Sequence, residues 1–254
     1  MSMRLKHLKD RCAGCARSGV PMNQEHLFAE WLIRRTNTHV TGIRWATGPR
    51  ISALSATLPL CVDCNSDFGR DLESPVSRLF DDIEEGRGIS DIDAELLVRW
   101  LWKIKGLAWV ATHPRSRYTR SYTLRERVLR AIDVVRGQLT VALALIRNVE
   151  PMYGDAPMGI DAITEHDAIF VSGVLSRVAV IVSLHDFEHL VPQEFTRYTL
   201  SPERTDDGVA KLFFPAVSFA TDTEAVRVTR DASIRLSEAH DALALALADR
   251  FGRG

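Results

Sequence analysis

The residues best suited to chemistry cluster near the start of the chain: Cys12, Cys15, Glu25, His26, Cys61, Cys64 and Asn65. The cysteines form two CxxC pairs, Cys12-Ala-Gly-Cys15 and Cys61-Val-Asp-Cys64, and the chain has no others. Four thiolates complete the ligand set of a tetrahedral structural zinc, with a redox pair as the alternative use of such spacing. The two pairs are separated by 45 residues, more than a simple finger needs, so the metal closes a loop that itself contains something.

That loop contains Glu25-His26, and Asn65 directly follows the second pair. An acid, an imidazole and an amide oxygen gathered by a zinc clip are the groups that metal-assisted phosphodiester hydrolysis requires. Glu25 and Asn65 offer the oxygen ligands that Mg²⁺ or Mn²⁺ accepts, and His26 could take a proton from attacking water near neutral pH. Each residue also has an ordinary use. His26 could be a structural histidine, Glu25 could favour the N-terminus of the helix after it, and Asn65 could cap a helix. Asp71 and Glu73 read as solvated helix residues.

The elements that must position these groups can be traced from patterning. Leu27, Phe28, Trp31 and Leu32 have helical spacing, and residues 38–60 carry the β-branched residues and glycine turns of two short strands. Helical pattern resumes from Cys64 to Leu72, Pro75 opens another helix, and Asp91 or Asp93 can cap a long one through Thr112 whose apolar face includes Trp100 and Leu101. Residues 113–135 combine an arginine-rich loop with a further helix. Beyond Gly137, strand-like runs alternate with turn clusters; "AVRVTR" (225–230) reads as the last of these, ahead of an amphipathic helix over 231–251. "HDFEHL" (185–190) spells a zincin-like H-x-x-E-H, but it is short, follows a strand-like run and is cut off by Pro192, so it is set aside.

At 254 residues and a formal net charge of −1, the chain has room for two modest domains and is not basic overall. The charge is uneven, however. Residues 1–50 hold nine Lys/Arg against three Asp/Glu, residues 99–150 eleven against three, and residues 62–97 eleven acidic against three basic. Two basic blocks flanking an acidic one suit a polyanion held near bound cations. Arg115, Arg117, Arg120 and Arg125, interleaved with Tyr118 and Tyr122, read either as a phosphate-contacting patch or as a solvated loop. With neither a secretory leader pattern nor an apolar run long enough to cross a bilayer, the expected setting is cytoplasmic with no membrane association.

The order Cys12-x-x-Cys15, Glu25-His26, Cys61-x-x-Cys64-Asn65, Phe68 and Leu72-Glu73 resembles the HNH endonucleases. It is similar to bacterial types with an "EH…W" segment, a "CN…W…LE" segment, in which Phe68 here stands at the tryptophan position, and a later WxxK helix, here Trp100-Leu101-Trp102-Lys103. The resemblance covers roughly residues 10–110. It implies a zinc-stabilised ββα-metal nuclease domain (1–88); with the patterning of the rest, the expectation is an α+β chain that continues through a helical connector (89–136) into a C-terminal mixed α+β domain of unknown role (137–254). It further implies His26 as general base, Glu25 and Asn65 as ligands of a catalytic Mg²⁺ or Mn²⁺, and Cys12, Cys15, Cys61 and Cys64 on structural zinc. The substrate it implies is double-stranded DNA, cut in a phage-defence, restriction or mobile-element setting, with specificity supplied by the C-terminal half, a protein partner or a homodimer. The family's middle Asn or His is replaced over 55–57 by Ser55, Ala56 and Thr57. The alternative function is a zinc-stabilised nucleic-acid binding module without catalysis.

Overall fold

The structure, a computed structural model, describes residues 11–44, 50–112, 123–130, 132–149, 157–161, 169–203 and 212–251. It is a mixed α+β structure. The N-terminal part begins with β1 (Met22–His26), followed by α1 (Glu30–Arg35), α2 (Thr38–Thr41) and a small antiparallel pair, β2 (Ile43–Arg44) with β3 (Arg50–Ile51). Strand β4 (Thr57–Cys61) returns to pair antiparallel with β1, in a register running from Met22 opposite Cys61 to His26 opposite Thr57. β4 then leads without a loop into α3 (Val62–Phe68).

Pro75 does not open a separate helix. α3 continues through a π-helical turn (Gly69–Glu73) into α4 (Ser74–Glu84). A proline inside a helix has no N–H to donate and its ring crowds the carbonyl four residues back, here that of Asp71. A widened turn at that carbonyl relieves both problems. The same turn keeps one stripe facing inward. Cys64, Phe68, Leu72 and Val76 are fully buried at a spacing of four, which would drift by about 40° per turn in an unbroken α-helix; the wide turn absorbs the drift.

Helix α5 (Asp91–Thr112) is the central element, with α6 (Leu124–Leu129) and α7 (Ile132–Val135) after it. Ser90 caps α5, and Asp93 reciprocates: the Ser90 hydroxyl accepts the Asp93 N–H at 3.2 Å and the Asp93 carboxylate accepts the Ser90 N–H at 3.0 Å. Asp91 is thereby free for another use. It accepts from Arg136, from the Tyr198 hydroxyl at 3.0 Å and from the Ser201 N–H at 2.9 Å.

The remaining strands are β5 (Leu139–Asn148), β6 (Met158–Asp161), β7 (Val171–Leu175), β8 (Val178–Leu184), β9 (Thr196–Thr199) and β10 (Ala216–Thr221). They form one sheet in the order β10-β5-β8-β7-β6, in which β9 pairs with the first half of β5 and β10 runs parallel to the second half. The apolar stretch 171–184 is thus a hairpin, turned at Ser176 (φ 57°) and Arg177. β5 and β8 are buried on both faces, which explains their continuous apolar sequence. Leu139, Val141 and Leu143 join α5 and the N-terminal part in one core; Ala142, Ala144 and Ile146 face the final helix, α8 (Asp222–Phe251).

α8 starts well before residue 231, so "AVRVTR" is helical rather than a strand. Thr221 and Glu224 determine this. The Thr221 hydroxyl accepts the Glu224 N–H at 3.3 Å, and the Glu224 carboxylate accepts the Ala220 N–H at 3.0 Å, a capping arrangement that outweighs the β preference of Val226 and Val228. Among the described residues no helix is long and apolar enough to cross a membrane.

Candidate functional site

The thiols of Cys12, Cys15, Cys61 and Cys64 lie within 4.8 Å of one another. A tetrahedron with Zn–S bonds of about 2.3 Å has sulfur–sulfur separations of about 3.8 Å, and Cys15 Sγ lies 3.7 Å from Cys61 Sγ. Local folding builds each half. After Cys15 the chain reverses at Ala16 (φ 61°), and Gly14 leaves room for the second pair, since a Cβ there would stand 3.1 Å from Cys64 Sγ. Cys61 ends β4 while Cys64 sits in the first turn of α3. The Gly14, Cys15 and Cys61 N–H groups point at Cys12 Sγ at 3.3, 3.4 and 3.2 Å.

These contacts polarise the cluster. The hydrogen bond from Cys64, with the three N–H groups helping and burial opposing, brings the Cys12 pKa down to about 4. Its neighbour Cys64 is pushed up chiefly by the same shared hydrogen bond, and burial raises Cys61. A soft cation would hold all four as thiolates, and the donor set fits zinc. Arg17 lies outside the ring of sulfurs, donating to Cys15 Sγ at 3.2 Å, Cys61 Sγ at 3.4 Å and Asp63 at 2.6 Å. Its positive charge would offset the excess negative charge of a four-thiolate zinc.

Glu25 and His26 lie at the far end of β1 from the cysteines, while Asn65 follows Cys64 directly on α3, which packs against both β1 and β4. Alternation along β1 puts Glu25 on the face of Leu58 and Leu60, and His26 on the face of Gln24 and Thr57. The Thr57 hydroxyl donates to Gln24 Oε1 at 3.1 Å, as residues sharing a face do. Residues 55–57 lie across from His26: Thr57 is its register partner, and the Ala56 carbonyl accepts the Leu27 N–H at 2.8 Å. The His26 ring and the Asn65 amide are both half-buried and make no side-chain hydrogen bond among the described residues.

Glu25 is committed to an ion cluster. Lys103, fully buried on α5, places its Nζ 2.5 Å from Glu25 Oε1 and 2.5 Å from Glu73 Oε1. Glu73 is therefore not a solvated helix residue. Its other oxygen accepts both indole N–H groups, from Trp31 and from Trp100, at 3.1 Å each. The two indoles stack with centroids 5.7 Å apart and Phe80 packs against both. Burial alone would depress the Lys103 ammonium; the attraction of Glu73 and Glu25 outweighs it and holds its pKa above the ordinary lysine value. The second carboxylate oxygen of Glu25 has no hydrogen-bond partner among the described residues.

Sequence patterning contains the members of this cluster without revealing their meeting. Trp31, Leu72-Glu73 and Trp100-x-x-Lys103 are visible as words, yet no role for Lys103 follows from them. The available signal is a lysine in the middle of an apolar helix, which must find partners. Arg115, Arg117 and Arg120 lie outside the described residues. Arg125, the member of that expected patch that is described, is engaged within the fold instead: its guanidinium pairs with Asp67 on α3 and its N–H donates to the Gly14 carbonyl at 2.9 Å, tying α6 to the cysteine cluster. In the 185–190 segment, His185 approaches Glu188 at 2.9 Å while His189 turns to the Asp186 carbonyl at 3.1 Å, so the two histidines share no site. Comparison of the chain with family models, curated proteins and solved structures found no match.

Proposed function

We propose that the chain is a metal-dependent endonuclease of HNH type that hydrolyses phosphodiester bonds in DNA, with the four cysteines on a structural zinc. One observation carries this reading. β1 pairs with β4, and β4 runs through Cys61 directly into α3, so the Glu25-His26 step, residues 55–57 and Asn65 belong to one hairpin-plus-helix unit pinned by four cysteines. Two antiparallel strands followed by a helix are the unit that the motif resemblance implies.

Within this reading Glu25, through its free oxygen, and Asn65, through its amide oxygen, would hold Mg²⁺ or Mn²⁺, a hard oxygen set appropriate to either ion. When bound, such an ion supplies neutralisation of charge on the phosphorane and on the leaving oxygen. His26 accepts the proton of a water whose oxygen attacks phosphorus as the bond to the leaving oxygen breaks. Lys103 and Glu73 fix the Glu25 carboxylate from behind, and the Trp31–Trp100 pair keeps water from that side of the cluster. Opposite His26 stand Thr57 and the Ala56 carbonyl, which accepts the Leu27 N–H, where the family has an orienting Asn or His.

Two observations favour a second reading, a zinc-stabilised nucleic-acid binding module without catalysis. Lys103 already neutralises Glu25, and strand alternation separates Glu25 from His26. Incubation of the purified chain with supercoiled plasmid across Mg²⁺, Mn²⁺, Co²⁺ and Ni²⁺ distinguishes the two. Nicking that depends on the ion supports the endonuclease; gel retardation of DNA with no nicking under any of them supports the binding module.

A further inference from the structure

The four cysteines are not equivalent. Cys12, Cys61 and Cys64 are buried, whereas Cys15 is open to solvent in part. The surroundings of the sulfurs differ as well. Cys12 Sγ faces three backbone N–H groups, those of Gly14, Cys15 and Cys61. A sulfur whose negative charge is spread over fixed donors is a poorer nucleophile. Cys15 Sγ accepts instead from a side chain, the Nε–H of Arg17 at 3.2 Å.

Arg17 lies along one edge of the cluster. Its Nη2 donates to Cys61 Sγ at 3.4 Å and to Asp63 at 2.6 Å, so Asp63 holds the guanidinium across the Cys15–Cys61 edge. Nη1 has no partner among the described residues, and half of the side chain is exposed. Cys61 Sγ is 3.7 Å from Cys15 Sγ. A partly exposed sulfur beside a cation, with a second sulfur in reach, is the environment that separates a reactive cysteine from an inert structural one.

We infer that the Cys15–Cys61 edge is an oxidation site for small hydroperoxides, at which Cys15 reacts first and Cys61 resolves. The inference rests on the zinc assignment and not on the nuclease chemistry. The Cys15 thiolate attacks one oxygen of hydrogen peroxide and the O–O bond breaks. The other oxygen departs as hydroxide against Nη1 of Arg17, a fixed cation where negative charge develops, and takes a proton from solvent. Cys15 is then a sulfenic acid. The Cys61 thiolate attacks its sulfur, an S–S bond forms as the S–O bond breaks, and a second hydroxide leaves and is protonated. The two sulfurs have given up two electrons, and the peroxide has become two molecules of water. Only Cys12 and Cys64 remain as thiolates, too few to retain the metal, and the folding free energy supplied by its binding is lost with it. A dithiol reverses the change by exchange.

The test treats the full chain, its zinc content measured beforehand, with hydrogen peroxide. Zinc release is followed with a metal-sensing dye, and samples alkylated at early times are digested and mapped by mass spectrometry. Zinc should leave as Cys15 becomes linked to Cys61, with Cys12 and Cys64 still open to alkylation, and dithiothreitol with added zinc should restore the loaded chain. Arg17→Gln should release zinc about tenfold more slowly, the effect of one lost charge-assisted contact. The inference is overturned if the zinc-loaded chain keeps its metal through prolonged treatment with excess peroxide. It is equally overturned if the first disulfide closes within either CxxC pair, or if Arg17→Gln reacts as fast as wild type. A chain purified without zinc would overturn both this inference and the structural-zinc assignment, a result read from the metal content before any peroxide is added. Should Arg17→Gln fail to fold, the pairing mapped in the wild type decides alone.

Discussion

Lys103 Nζ sits 2.5 Å from Glu25 Oε1, on a lysine with no exposed surface, although 78 residues separate the two in sequence. The contact joins the end of β1 to the middle of the central helix, and Glu73 completes it from the π-helical turn. A cation fully removed from water needs both carboxylates, and each carboxylate needs the cation. The position of Glu25 is thus set by the core rather than by the surface.

Lys103→Met should therefore be costly. Two mostly buried carboxylates would be left without their counter-ion, and breaking a buried pair from one side typically costs ~3–5 kcal/mol. Urea denaturation of wild type and variant measures it; a loss below about 1 kcal/mol would mean that the carboxylates relax to solvent without penalty. The sign with pH follows from the raised lysine pKa. This contribution is fully present below the unfolded value, about 10.4, and disappears as pH rises through the folded one. Stability from this cluster should hold through neutral pH and fall only in strong alkali.

The opposite limb of the pH profile belongs to Asp91. Burial by itself would raise its pKa, but Arg136, the Ser201 N–H and the Tyr198 hydroxyl together hold it below the ordinary value. Its contribution is present above about pH 4, the unfolded value, and is lost as pH falls through the folded one. Denaturation midpoints measured down through the acid range should drop for wild type. Asp91→Asn should be less stable at neutral pH and should show a shallower acid slope.

One zinc per chain is expected by mass spectrometric metal analysis. Cys61→Ser should lose the metal and unfold the N-terminal part, because the binding free energy of a structural zinc is folding free energy. A Cys61→Ser chain that remains folded without metal would remove the structural role.

Gly69 opens the π-helical turn with helical backbone angles (φ −61°, ψ −49°), and a Cβ there meets nothing within 4 Å. Gly69→Ala should then stabilise the helix by about 0.5–1 kcal/mol, through the lower backbone entropy of the unfolded chain. A destabilised variant would show that the turn needs the freedom of glycine.

Much of the N-terminal part can be read from spacing. The cysteine pairs state their own geometry, since CxxC twice is a ligand count, and Cys12, Cys15, Cys61 and Cys64 do converge. The hydrophobic spacing of α5 is equally plain. What escapes is whatever depends on closure between distant segments. Glu73 looks solvated because its neighbours Arg70 and Asp71 are; only the π-helical turn and the approach of α5 turn it inward to Trp31, Trp100 and Lys103. "AVRVTR" looks like a strand because β-branched residues dominate it, whereas the local signal that decides is Thr221-Asp-Thr-Glu224, a capping box visible in sequence. Pro75 looks like a helix start because proline is tolerated there, and a continuous helix that widens around it has no sequence signature of its own.

The proposed chemistry depends most directly on His26, half-buried, free of side-chain hydrogen bonds among the described residues and outside the core. Single-turnover plasmid nicking with Mg²⁺ should be about 10²–10⁴-fold slower in His26→Ala than in wild type, with zinc content and thermal midpoint unchanged. Equal nicking rates in the two proteins, or no nicking by wild type with any divalent metal, would contradict a catalytic hairpin.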